Sequence, residues 1–220
     1  MTPELWSDLL AALERPHRMG TIGGDLEEQL AHCASFSSVL RQVVGSSVPE
    51  RGIDLGTGGG LPGVALAGMW PTMQWTLVDV RAARIAEVER TVLRLGYDDR
   101  VTTVAAEAQQ LGHDPAYREQ FGCAVARAFG PSSTTAECAA GMVAVGGVFV
   151  VSEPPEDSPD RWNEQSLRAM GFAPPEMVAE RSSAAPQSSM FAVFEKISPT
   201  PERIPRLPAR SNRGWYLPKD

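Results

Sequence analysis

Between Ile53 and Gly63 the chain reads Ile53-Asp54-Leu55-Gly56-Thr57-Gly58-Gly59-Gly60-Leu61-Pro62-Gly63, with five glycines in its last eight positions. Glycine destabilises helix and strand interiors but tolerates tight, left-handed backbone. The apolar run before these glycines and the helical pattern of 64–69 after them make the stretch a sharp strand-to-helix turn. The rest of the chain repeats that alternation. Strands are predicted at 75–80, 101–104, 123–128, 147–151 and 190–194. Helices are predicted at 83–95, closed by Gly96, around 134–142, and at 159–170, stopped by Gly171. Strands and helices alternating at these lengths predict an α/β fold with a Rossmann-like, mostly parallel sheet and helices on both faces.

The first fifty residues differ, carrying helix signals and no strand signals. Thr2-Pro3-Glu4 reads as an N-cap with proline at the first helical position, and Pro16 to Gly24 as a break. Asp25 with Glu28 opens a second helix that ends before Pro49. After Ile197 periodicity is lost and proline and arginine accumulate. The expected organisation is therefore a helical extension over 1–50, a central α/β domain over 51–197 and a basic arm over 198–220.

Charge is uneven along the chain. The net charge is −7, but residues 196–220 carry six basic and two acidic side chains, which leaves −11 on the remainder. Such a body does not hold a polyanion by its whole surface. No apolar run approaches the roughly 20 residues needed to span a bilayer, and Met1 to Asp8 lacks the basic start and apolar run of a signal peptide. Cys33, Cys123 and Cys138 are too dispersed for a disulfide framework or a zinc site, and His17, His32 and His113 lack metal-ligand spacing and read as surface or cap residues. The expectation is a cytoplasmic protein with no metal and no membrane partner.

The glycine turn lies where a doubly wound sheet binds nucleotide-like ligands. Asp54 stands two residues before the first glycine, where a carboxylate suits an ammonium group rather than a pyrophosphate. Asp79 closes the second strand, where it can accept both ribose hydroxyl protons. Ala106-Glu107 follows the third strand, where a backbone N–H and an apolar wall can read an adenine edge. With Gly56, Gly58 and Gly60 for close approach, the set reads as a site for S-adenosylmethionine. A dinucleotide site shares the second-strand acid and is the competing reading. Arg127, embedded in the apolar run of 123–129 at the end of the fourth strand, is a charge over the same crevice.

The stretch Asp54 to Gly63, with Leu61-Pro62-Gly63 after the glycines, resembles the 16S ribosomal RNA guanine-N7 methyltransferases of the RsmG or GidB type. Val78-Asp79-Val80-Arg81-Ala82-Ala83-Arg84, Ala105-Ala106-Glu107, Val125-Ala126-Arg127-Ala128 and the ending Lys196 to Arg206 agree with that family. The resemblance implies a class I methyltransferase fold and S-adenosylmethionine bound by Gly56, Leu61, Ala106, Glu107 and Arg127 besides Asp79. It also implies methyl transfer to guanine N7 in 16S rRNA of the small ribosomal subunit. That nitrogen carries a lone pair and no proton, so no catalytic acid or base is assigned.

Departures lie on the substrate side. Ser152-Glu153 stands where the family has lysine–glycine, Met19-Gly20-Thr21 where it has asparagine–leucine–threonine, and Ser35-Phe36 where it has aspartate–serine. Glu153, Arg206, Arg210 and Arg213 are the candidate substrate contacts. The departures leave two alternatives: a diverged methyltransferase for a small molecule or another RNA, and a non-catalytic S-adenosylmethionine-binding module.

Overall fold

The computed structural model describes residues 1–154, 161–181, 188–207 and 214–217. Helix α1 (Pro3–Arg18) starts where Thr2 Oγ1 accepts the Leu5 N–H, and α2 (Leu26–Val44) where the Asp25 carboxylate accepts the Glu28 N–H at 3.0 Å. α1 runs through Pro16 instead of breaking there. So close to the helix end, a proline forfeits one helical hydrogen bond, and Pro16 is buried.

Next come β1 (Arg51–Leu55), α3 (Gly63–Met69), β2 (Gln74–Asp79), α4 (Ala82–Leu95), β3 (Val101–Ala105), α5 (Ala108–Leu111) and β4 (Phe121–Ala126). They are followed by α6 (Ser132–Met142), β5 (Val143–Ser152), α7 (Glu164–Ala169), β6 (Glu176–Glu180) and β7 (Ser189–Glu195). α5 and β6 are additions to the sequence expectation. Four residues are too few for α5 to show periodicity, and β6 (Glu-Met-Val-Ala-Glu) is a short sheet edge bounded by charge.

Among the described residues one sheet holds the seven strands, in the order β3-β2-β1-β4-β5-β7-β6. The five strands from β3 to β5 are parallel; β7 lies between β5 and β6 and is antiparallel to both. The winding reverses at β1, which has β2 on one side and β4 on the other. A crevice therefore opens above its carboxyl end.

Strand alternation sorts the core into two layers. Leu77, Val125, Val150 and Phe191 face α1 to α4, while Ile53, Leu55, Ala124, Phe149 and Phe194 face α5 to α7. Burying each large apolar side chain contributes roughly 1.5–3 kcal/mol. The N-terminal helices share the first layer. α1 packs on α4 through Leu9 and Leu13, with Arg15 paired to Glu87 at 2.9 Å, and α2 lays Phe36 against Phe191 of β7.

Past Ile197 the described chain has no helix or strand, yet it is stitched to the second layer. Lys196 is fully buried, and its ammonium donates to Glu119 Oε1 at 2.9 Å, to the Ala140 and Val143 carbonyls and to Thr200 Oγ1. Burial lowers the Lys196 pKa from its ordinary value, and Glu119 opposes that shift. The Arg118 guanidinium donates to the carbonyls of Gly112, Thr200, Pro201 and Ile204. Arg206 binds the buried carboxylate of Glu137. Removing one partner of such a cluster strands buried charge. Lys196→Ala should destabilise the fold by about 3–5 kcal/mol, seen as a lowered urea midpoint with unchanged slope.

Candidate active site

Ligand-facing chemistry gathers above β1, and the backbone of the glycine turn shapes it. Gly56, Gly58 and Gly60 have φ of +73°, +59° and +107°, so any other residue would be strained there. A Cβ on Gly56 would lie 2.6 Å from the Phe129 ring. One on Gly58 would meet only the Gly56 carbonyl, at 3.9 Å, so the backbone there borders open space. Beneath the turn, Asp54 is fully buried and its Oδ2 accepts the Gly63 N–H at 2.9 Å, fastening the start of α3 to β1. Among the described residues, Asp54 Oδ1 and Thr57 Oγ1 have no hydrogen-bond partner. Burial pushes the Asp54 carboxyl up to about 6, against the opposing pull of the Gly63 N–H and Arg127.

Two lobes meet at Gly56, Arg84 and Ala128. The larger, about 320 Å³, lies over β2 and β3. Its walls are apolar at Val78, Ala106, Phe129 and Pro131 and acidic at Asp79 and Glu107, with Arg81 and Arg84 at the side. Asp79 closes β2 and accepts from the Gly58 N–H at 3.1 Å and the Arg81 N–H at 2.8 Å, with Arg84 paired at 3.3 Å. The smaller lobe, about 160 Å³, runs along the glycine turn between Thr21-Ile22, Leu61 and Arg127. The α1–α2 turn seats directly on the glycines: a Cβ on Gly59 would lie 2.5 Å from Ile22 and 2.9 Å from the Thr21 carbonyl.

Arg127 follows the last residue of β4. Ala128 then takes a left-handed φ of 51°, uncommon for a residue with a Cβ, and the chain reverses to bring Phe129 over Gly56. No ion pair to Arg127 is found among the described residues, so its charge faces the smaller lobe.

Of the residues singled out in the sequence, Gly56, Gly58, Leu61, Asp79, Ala106, Glu107 and Arg127 line this double crevice. Asp54 and Gly60 lie under it. The Ala106 N–H is spent on the Asp79 carbonyl at 3.2 Å, so the wall offers its apolar face there. Glu153 is nearly buried, accepting from Trp162 Nε1 at 2.8 Å and paired with Arg161 at 3.1 Å; burial raises its carboxyl above the ordinary value. Arg206 is engaged with Glu137 on α6, and Arg210 and Arg213 lie outside the described residues. Sequence reasoning named Thr21 only as part of a departure and missed Ile22 and Phe129, because only the folded α1–α2 turn and the reversal at Ala128 bring them to the crevice. It also misplaced His32, which is half-buried against Phe36 and Phe191.

The larger lobe fits an adenosine: apolar walls and an aromatic edge for the base, a second-strand carboxylate for the ribose hydroxyls. The glycine turn and Arg127 fit a zwitterionic amino-acid end. These features match S-adenosylmethionine.

The comparisons with known proteins agree. Residues 25–163 match the family described as GidB, rRNA small subunit methyltransferase G. Two curated proteins named ribosomal RNA small subunit methyltransferase G align over most of the chain. That of Alkaliphilus metalliredigens is 30% identical, covering 85% of this chain and 79% of its own. That of Pelotomaculum thermopropionicum is 26% identical, covering 93% and 85%. Among solved structures, a putative O-methyltransferase from Klebsiella pneumoniae superposes with a TM-score of 0.59 at 14% identity, over 90% of this chain and 91% of that one. The O-methyltransferase from Bacillus cereus in complex with SAH gives 0.58 at 14% identity, over 86% and 91%.

Two outcomes test the geometry. Asp79→Ala should weaken S-adenosylmethionine binding by roughly 1–3 kcal/mol, the range for leaving buried polar partners unmatched, as read by titration calorimetry. The raised Asp54 pKa means that the folded state holds this proton more tightly than the unfolded one. Stability from this group is therefore full below about pH 4 and lost as pH rises to about 6. Urea midpoints of the wild type should fall across that window relative to Asp54→Asn.

Proposed function

Because the chain belongs to the GidB family of rRNA small subunit methyltransferase G proteins, we propose that it methylates N7 of a guanine in the 16S rRNA of the small ribosomal subunit, using S-adenosylmethionine. The observation that carries the cofactor side is the double crevice, with the second-strand carboxylate Asp79 in one lobe and the Arg127 cation in the other.

When bound, S-adenosylmethionine supplies a sulfonium methyl: as N7 bonds to that carbon, the S–C electron pair stays on sulfur and the positive charge passes to the base. The chain's own residues align and exclude water; none has to move a proton, since N7 attacks through a lone pair it already has. Asp79 would hold the ribose hydroxyls, Phe129 and Ala106 would flank the adenine, and Arg127 would hold the carboxylate end over the glycine turn. The α1–α2 turn covers that end from above.

Glu153 is compatible with an RNA substrate. A bare carboxylate in place of a lysine would repel phosphate, but this one is sequestered by Arg161 and Trp162. No described helix is long and apolar enough to cross a membrane, and a cytoplasmic site of action follows from the ribosomal substrate.

Labelled methyl from S-adenosylmethionine, offered to small-subunit particles, stripped RNA and a low-mass metabolite pool, should enter 16S rRNA and be recovered as 7-methylguanosine. Label confined to the metabolites would overturn the substrate while leaving the cofactor site standing.

A further inference from the structure

Beside the cofactor crevice, at the carboxyl edge of the sheet and beneath α2, lies a second polar cluster. Val125, Val150 and Phe191 point into the core layer under α2. Strand alternation therefore places the residues two further toward the ligand edge, Arg127, Ser152 and Ser189, on the same face. The register sets Arg127, after the Ala126–Val151 pair, beside Ser152, and Ser189 two residues beyond Phe191, the partner of Ser152. α2 closes the group from above with His32, whose Nδ1 lies 2.9 Å from Ser189 Oγ.

The imidazole is held as a recognition group would be. It stacks on Phe191 at 5.5 Å and meets the edge of Phe36 at 5.3 Å, so the ring has little freedom. Burial and then the Arg127 charge lower its pKa to about 4, which leaves it neutral at physiological pH. A neutral ring adds no second cation beside a sulfonium. Ser189 Oγ meets Nδ1 and no hydrogen bond to Nε2 is found among the described residues, so in the tautomer where the hydroxyl donates to Nδ1 the ring offers a free Nε2–H.

We propose that this cluster is the pocket for the target base, with Ser189 engaging His32 Nδ1 and the guanine O6 acceptor at Nε2 selecting the Nε2–H tautomer that donates to it. The assignment rests on the guanine-N7 reading. Guanine presents two acceptors on its major-groove edge, O6 and N7, and adenine replaces O6 with a donating amino group. A single donor on O6 therefore selects guanine and leaves the N7 lone pair uncovered. A bidentate arginine on both atoms would select guanine too, but would block the nucleophile. Arg127 is adjacent and lines the amino-acid lobe, so the base in this pocket lies next to the methyl-donor end of the crevice.

The test uses the full chain with small-subunit particles purified from cells lacking this enzyme. His32→Phe keeps the ring and removes the donor; Ser189→Ala keeps the ring and removes its partner at Nδ1; His32→Gln offers an N–H in place of Nε2. The expected result for His32→Phe is a fall in kcat/KM for particles of roughly tenfold or more, with an unchanged Kd for S-adenosylmethionine. Ser189→Ala should lose less, and His32→Gln should recover part of the loss. Wild-type kcat/KM in both His32→Phe and Ser189→Ala overturns the assignment, as does a parallel loss of cofactor affinity, which would make the pair packing alone. If His32→Phe fails to fold, Ser189→Ala decides. A wild type that makes 7-methylguanosine while the variants match it sinks only this pocket. A wild type that labels no guanine sinks the function and the pocket together.

Discussion

The crevice depends on a carboxylate that does not line it. Asp54 is sealed beneath the glycine turn and fastens the first N–H of α3 to the carboxyl end of β1. A Cβ on Gly63 would fall 2.3 Å from Leu77 and 2.7 Å from Asp54 Oδ2, so strand, turn and helix can approach this closely only with glycine at that position. The turn above then bends through left-handed glycines and presents bare backbone to the ligand. Phe129 and Ile22 rest on Gly56 and Gly59, one arriving from β4 and the other from the α1–α2 turn. Burying an acid with one oxygen unmatched is unfavourable. Here that cost secures the surface on which every other contact of the site is built.

The helical layers and the sheet were readable because their signals are local. Thr2 and Asp25 cap the helices they were expected to cap, Gly96 ends α4 in the left-handed conformation, and the strands around the glycine turn lie where the apolar runs put them. The antiparallel entry of β7 between β5 and β6 was not readable, since no residue pattern distinguishes a strand that inserts from one that adds at an edge. The same holds for the site. Its glycines and carboxylates stand in one segment or at strand ends, whereas the Thr21-Ile22 lid and the His32–Ser189 pair, 157 residues apart, exist only through packing.

Arginine chemistry divides the molecule. In the sequence the tail reads as a basic arm for RNA, but Arg206 is committed to Glu137 and Arg203 lies over the Tyr216 ring at 5.0 Å. Arg118 spends its guanidinium on four carbonyls of the chain itself. A guanidinium's planar fork serves such internal clamps as well as it serves phosphates. At the ligand edge Arg127, with no ion pair among the described residues, is placed by a strand and not by the tail.

The Lys196 cluster also bears on the order of events during synthesis. β7 is the penultimate strand of the sheet in space but the last in sequence, and the chain that locks Lys196 and Arg118 comes later still. Domains emerging from a ribosome fold from the N-terminus as sequence becomes available. Here the early βα units can collapse, but β5 waits for β7 and α6 for Arg206 until those segments are made. Non-local closure of this kind slows folding and prolongs the exposure of apolar strand faces. The apolar strand faces flanking β5 therefore stay uncovered until β7 and the segment that follows it have emerged, however stable the finished sheet.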